Sequence, residues 1–279
     1  MDHLIVAAKA AFDAHDWPRA THLYERLATE HPTDPRVADW WYDAALAQKF
    51  LRNWPEAHRL GRHAVAHTPA GTQDPAYWNL GIAATIQRDW PTARAAWGGF
   101  GIPVAPGEGP IMDGYGRACV RLTGVEGQEV VWIQRLCPTR GRVLNVPFDT
   151  SRRFGEIVVH DGEPTGQRVV GERTFSVFDE LVLFEPSDLP TLSVTVRAAE
   201  PADLEALADL FGERELGFEP LANGQVLCAC CSTGSVESPP LALAGTQRCL
   251  LAAPLSTARD LLSRWSSAGR SWSDLHLAT

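Results

Sequence analysis

The chain has 279 residues, a formal net charge of −9, and 45% hydrophobic against 21% charged residues. That balance predicts a folded chain of about two domains, with three small ones also in range, and excludes disorder as the default state. The negative charge argues against a general nucleic-acid binder.

Lysine is confined to Lys9 and Lys49, while arginine is abundant. Neither lysine follows a glycine, which excludes a phosphate loop of the Gly-Lys type, and Schiff-base chemistry has only those two amines to use. Methionine is limited to Met1 and Met112, so a methionine-rich adaptable groove is excluded. The first residues lack a basic region followed by a long apolar run, and no stretch reaches the ~20 apolar residues of a membrane span. The expectation is a cytoplasmic protein without a membrane segment.

Along the first third, one short motif recurs three times: Asp16-Trp17-Pro18-Arg19-Ala20, Asn53-Trp54-Pro55-Glu56-Ala57 and Asp89-Trp90-Pro91-Thr92-Ala93. The tryptophans are 37 and 36 residues apart, a period that means stacked supersecondary units. Each motif reads as a helix start, with Asp or Asn as cap and Pro early, where its missing N–H costs little. The flanks fit helical hairpins. Leu4, Ala7, Ala8 and Ala11, then Ala20 and Tyr24, serve the first. Trp41, Ala44, Ala45 and Gln48, then Ala57 and Gly61, serve the second. Tyr77, Leu80, Gly81 and Ala84, then Ala93 and Trp97, serve the third. Small residues there let two helix backbones approach, and one large residue fills the remaining gap. The run Gly98-Gly99-Phe100-Gly101 ends the last helix.

Residues 1–101 thus resemble the tetratricopeptide repeat family, with three units in phase. The period exceeds the family's usual ~34 residues, and the surplus falls between units, around 31–39 and 68–74. Gly61 stands where a large residue is usual. The resemblance implies a concave face lined by the first helix of each unit, which commonly holds a peptide. Carried over, it places Ile5, Lys9 and Phe12 on that groove, then Tyr42, Leu46 and Lys49, then Trp78, Ile82 and Thr85. Each set has i, i+4, i+7 spacing and so forms one stripe. Both lysines fall here, giving a partly aromatic groove with two cationic spots; the competing reading is that other parts of the chain cover the stripes. Some family members grip a chaperone's C-terminal carboxylate with a Lys/Asn/Arg set. The corresponding places here include Ile5, Asp43 and Pro75, so that set is broken.

Residues 102–112 read as a Pro/Gly-rich linker. From 113 to 189 short β-prone runs alternate with turn signals: 118–122, 129–135, 142–146, 156–160, 167–170, 174–178 and 181–184, with Asp161-Gly162 and Gly171-Glu172 as turns. Seven short strands predict a small barrel or sandwich. Arg135, Arg140, Arg142, Arg152 and Arg153 could form a local basic patch, although acidic residues are interleaved. His160-Asp161, Cys137 and Asp149 are the groups that could support catalysis, but spacing alone cannot bring a nucleophile to its base.

Residues 190–279 predict strands at 192–197, 225–231, 248–253 and 272–277 with helices at 201–211 and 256–266. That β-α-β-β-α-β order is the ferredoxin-like, split βαβ arrangement, with a mobile loop expected at 234–240. Cys228, Cys230 and Cys231 fall in one apolar run with no His nearby in sequence, and read as small strand residues, not metal ligands. The fold class expected is therefore multidomain α+β, in segments 1–101, 102–112, 113–189 and 190–279.

No catalytic residue, metal or cofactor is assigned. The leading functional expectation is a non-enzymatic protein that binds a peptide or protein partner through the repeat groove, such as a bacterial accessory or immunity-type factor. The alternative is an enzyme or small-ligand sensor with its site in the C-terminal regions, the repeats serving for docking.

Overall fold

The computed structural model describes residues 1–221, 234–237 and 245–278, the side chains of 234–237 excepted. The strand expected at 225–231, with its three cysteines, lies outside the described residues. The chain divides into two compact units, Met1–Asp113 and Gly114–Thr279. Helical repeats are followed by β-rich sheets, so the class is multidomain α+β.

The first unit contains six helices: α1 (Asp2–Asp13), α2 (Trp17–Glu30), α3 (Val37–Phe50), α4 (Trp54–Ala66), α5 (Pro75–Ile86) and α6 (Trp90–Phe100). They pack in chain order as three hairpins and fit a tetratricopeptide-type segment. The repeated motif repeats its geometry. His15, Arg52 and Arg88 all take positive φ, of 58°, 55° and 59°. The next residue's amide then reaches back to the first helix each time: Asp16 to Ala11, Asn53 to Gln48, Asp89 to Ala84, at 2.9 Å in all three. Asp16 Oδ1 accepts from the Arg19 amide and Asp89 Oδ1 from the Thr92 amide, the N-caps the motif predicts. Asn53 departs from this: its Nδ2 donates to Gln48 Oε1 at 2.8 Å, and Gln48 Nε2 donates to Thr21 Oγ1 across α2 and α3.

Small-residue packing follows the expected pattern. A Cβ on Gly81 would lie 2.5 Å from the Trp97 ring, and one on Gly99 would lie 2.3 Å from Tyr77. Gly61 leaves no gap, because Leu80 of the next hairpin comes within 3.3 Å of where its Cβ would be. Gly101, at φ 100°, ends α6 in the left-handed region, and the Ile102 amide returns to the Trp97 carbonyl. The longer inter-hairpin turns at 31–36 and 67–74 absorb the surplus period.

The second unit begins with β1 (Arg117–Thr123), β2 (Gln128–Cys137), β3 (Arg140–Val143), β4 (Ile157–Val170) and β5 (Arg173–Glu185). Five strands replace the seven expected there. The segments at 156–160 and 167–170 belong to one strand, β4, and those at 174–178 and 181–184 to another, β5. Asp161-Gly162 is no turn: β4 runs through it, bent by register shifts between His160 and Gly166. Gly171-Glu172 does form the hairpin, between paired Val170 and Arg173, with Gly171 at φ 58°.

The order is β3-β2-β1-β5-β4, and β3 also pairs with β4, so the hydrogen-bonded circuit closes on itself. Its core holds Val120, Leu122, Val131, Ile133, Val143 and Phe178, at every second position of β1 and β2; on β1 the intervening Cys119 and Arg121 are buried as well. After β6 (Thr191–Ala198), α7 (Pro201–Gly212) and β7 (Gly217–Pro220) comes β8 (Gly234–Glu237), which lies parallel on β4. The loop expected at 234–240 is thus a strand over its described part.

β9 (Gly245–Ala252), α8 (Leu255–Trp265) and β10 (Ser271–Leu277) complete the chain. The second sheet has order β10-β6-β9-β7, every pairing antiparallel. Leu207 and Phe211 of α7 and Leu261, Leu262 and Trp265 of α8 share a core with Leu192, Val194 and Val196 of β6.

Candidate functional site

The expected groove residues lie on α1, α3 and α5, the first helices of the three hairpins. On α1, Lys9 is exposed and Ile5 and Phe12 are half-buried. Phe12 is committed to an aromatic cluster, with ring centroids 5.1 Å from Trp17 and 6.3 Å from Phe50; His15 stacks on Trp17. On α3, Tyr42, Leu46 and Lys49 are half-buried, and Lys49 Nζ donates to Asn79 Oδ1 of α5 at 3.1 Å. That bond makes α3 and α5 neighbours at this level of the stripe.

On α5, Trp78 is half-buried, its ring set edgewise on Trp97 and Phe100 at 5.2 and 5.0 Å. Ile82 and Thr85 are fully buried. They present no surface to a ligand, so the third unit offers Trp78 alone. The cause is visible in the sequence: Pro75–Ile86 is apolar nearly all round, so it is buried on more than the one face that meets α6. Asp43 of α3 was named above only as a break in the clamp set. Burial lifts its carboxyl to about 6, the Tyr24 hydroxyl hydrogen bond opposes this, and Asp39 adds to it.

In the second unit, Cys137, His160 and Asp149, three of the four residues with catalytic potential, are not assembled. Cys137 and His160 are fully buried. Burial raises the Cys137 thiol above its ordinary value and lowers the His160 imidazole to about 4. His160 stacks on Phe178 at 4.6 Å, and its Nδ1 meets the Asp161 carbonyl at 2.6 Å. Asp149 instead pins a loop: it accepts from the Ser151 amide and hydroxyl and from the Glu126 amide. Among the described residues no hydrogen bond joins any two of the three, so Cys137 is not paired with His160 or Asp149 as a base. Nor does any group of three or more metal-ligating side chains occur among them.

Glu129 was not legible as unusual. Burial lifts its carboxyl to about 7, against amide hydrogen bonds from Phe148 and Asp149. The cavity beside it measures only ≈ 50 Å³, room for water and little else.

The expected arginine patch is dispersed. Arg152 is buried, with Nη1 and Nη2 on the two Glu180 oxygens at 2.7 Å and Nε on Glu156 at 2.9 Å. Arg140 is buried over the Phe184 ring. Arg135 and Arg153 donate to the Pro138 and Leu189 carbonyls. Of the five, Arg142 alone is exposed.

No family model matches the chain, and no curated protein matches it. Among solved structures, one with similarity is the complex of the TPR2B domain of yeast Sti1 with pHsp70. It is 22% identical over 36% of this chain and 75% of that one, with a TM-score of 0.29. The repeat reading therefore rests on the chain's own three hairpins. No helix among the described residues is long and apolar enough to cross a membrane.

Proposed function

We propose that this is a tetratricopeptide repeat protein that binds a peptide or protein segment along the first helices of its repeats. The observation that carries the reading is the stripe on α1, α3 and α5, with α3 and α5 joined along it by Lys49 and Asn79. Ile5, Lys9, Tyr42, Leu46 and Trp78 keep partial or full exposure along it. The two lysines of the chain supply charge and the aromatic rings supply apolar area. The role is that of a cytoplasmic, non-enzymatic accessory or immunity-type factor that occupies another protein.

Affinity capture from the native host's lysate, with wild type and a Lys9→Glu/Tyr42→Ala variant of unchanged circular dichroism, tests this. A partner held only by wild type is the expected result. Equal capture by both forms would move the interface elsewhere.

We also infer three domains, at 1–101, 113–189 and 190–279, joined by a linker at 102–112. The closed pairing circuit β3-β2-β1-β5-β4 supports a small barrel. Leaving aside β8, which joins β4, the elements of the second sheet run β6-α7-β7-β9-α8-β10, and this order with the sheet order β10-β6-β9-β7 supports a ferredoxin-like last domain.

A further inference from the structure

A second site lies in the β-rich unit, independent of the repeats. A cleft of ≈ 980 Å³ opens between the β1-β2-β3 face and the segment that follows α7. That volume is at the upper end of small-ligand sites. Arg117, Arg142 and Arg214 line it, with Glu215 as the one carboxylate of its wall. All three arginines are exposed, and none has a carboxylate partner among the described residues. In a chain of net charge −9, this is a local reversal of sign.

The sheet register explains how two of these charges come to face the same way. Arg117 stands opposite Gln134, and Gln134 stands opposite Arg142. Residues paired across adjacent strands share a face, so the row reads Arg, Gln, Arg across three strands. Strand spacing puts the two arginine backbones about 10 Å apart, close enough for one multivalent anion to span. Arg214 approaches from the other wall. Guanidinium groups without a carboxylate are what planar, bidentate recognition of phosphate or carboxylate requires.

The wall also carries the apolar side chains of Trp132, Leu144, Phe154 and Leu216, beside the uncharged polar Asn145 and Ser187. Trp132 is held in place, with Arg168 over its ring at 5.1 Å and Phe175 edgewise at 4.7 Å. We propose that this cleft binds a small organic anion, a phosphate ester with an apolar or aromatic body. The acid lies between Arg117, Arg142 and Arg214, and the body lies against Trp132 and Phe154.

The probe is phenyl phosphate, titrated into the full chain by calorimetry, with phenol and inorganic phosphate as its two halves. Saturable binding of phenyl phosphate is expected, tighter than either half and weakened by added salt. The Arg117→Gln/Arg142→Gln variant should lose about tenfold or more in affinity, while Arg259→Gln, on α8, should lose nothing. Arg214→Gln is a second, separately placed test in case the strand variant fails to fold. The proposal is overturned by non-saturable binding, or by affinity indifferent to all three arginines. It is also overturned if a uridine homopolymer binds through these arginines while phenyl phosphate does not, which would give the cleft to a polyphosphate chain instead of a small ligand.

Discussion

At Gly81 a methyl group would improve helix propensity by about 0.5–1 kcal/mol, yet it would meet the fully buried Trp97 ring at 2.5 Å. The ring cannot swing away, so overpacking of about 1–3 kcal/mol wins. Gly81→Ala is expected to lower stability in chemical denaturation, and Trp97→Leu in the same chain to recover part of the loss, a coupling that a double-mutant cycle measures. Arg152 gives a second case. Its bidentate pair with Glu180 and bond to Glu156 are buried, so Arg152→Met strands two carboxylates and should cost about 3–5 kcal/mol.

His160 sets a pH dependence. Its folded proton affinity is depressed from the ordinary 6.5 to about 4 by burial, so the unfolded chain takes the proton first. Its contribution is complete above pH 6.5 and is lost as pH falls towards 4, by up to roughly 3 kcal/mol. The stability difference between wild type and His160→Phe should therefore slope with pH between 6.5 and 4 and be flat above. A flat difference throughout would show that the imidazole titrates freely.

Single elements were legible where a local rule set them. The Asp-Trp-Pro motif fixes α2 and α6 because cap, early proline and positive-φ turn are all encoded within a few residues. Asp89→Ala should destabilise by about 1 kcal/mol through lost capping of α6. Asn53→Ala should act instead through Gln48, since Asn53 makes no side-chain cap. The strands were less legible. Asp161-Gly162 has the composition of a turn, yet β4 continues through it, because partners on β5 on both sides hold the backbone extended across a bulge. Turn chemistry gives a local preference of a kind that ladder hydrogen bonds override. The groove stripe shows the same limit. Spacing put Ile82 and Thr85 on the stripe, but α5 is buried continuously from Leu80 to Thr85, so that end of the stripe is covered.

At the scale of the molecule, the two compact units each carry their own core. Residues 1–113 produced alone should keep a helical circular dichroism spectrum and a cooperative thermal transition; a featureless melt would show that the repeats need the rest of the chain. The sequence by itself determined the three helical hairpins, the starts of their second helices and the close-packed Gly81, since those follow from a period and from short-range caps. In the last ninety residues it also gave β6, α7, β9, α8 and β10, while β7 was not expected and β8 stands where a loop was expected. Tertiary structure alone decided which arginines are buried, that Cys137, His160 and Asp149 stay apart, and that Arg117, Arg142 and Arg214 meet around one cleft. Those residues are separated by tens of positions, and only strand register and sheet pairing, which act at long range, bring them together or hold them apart.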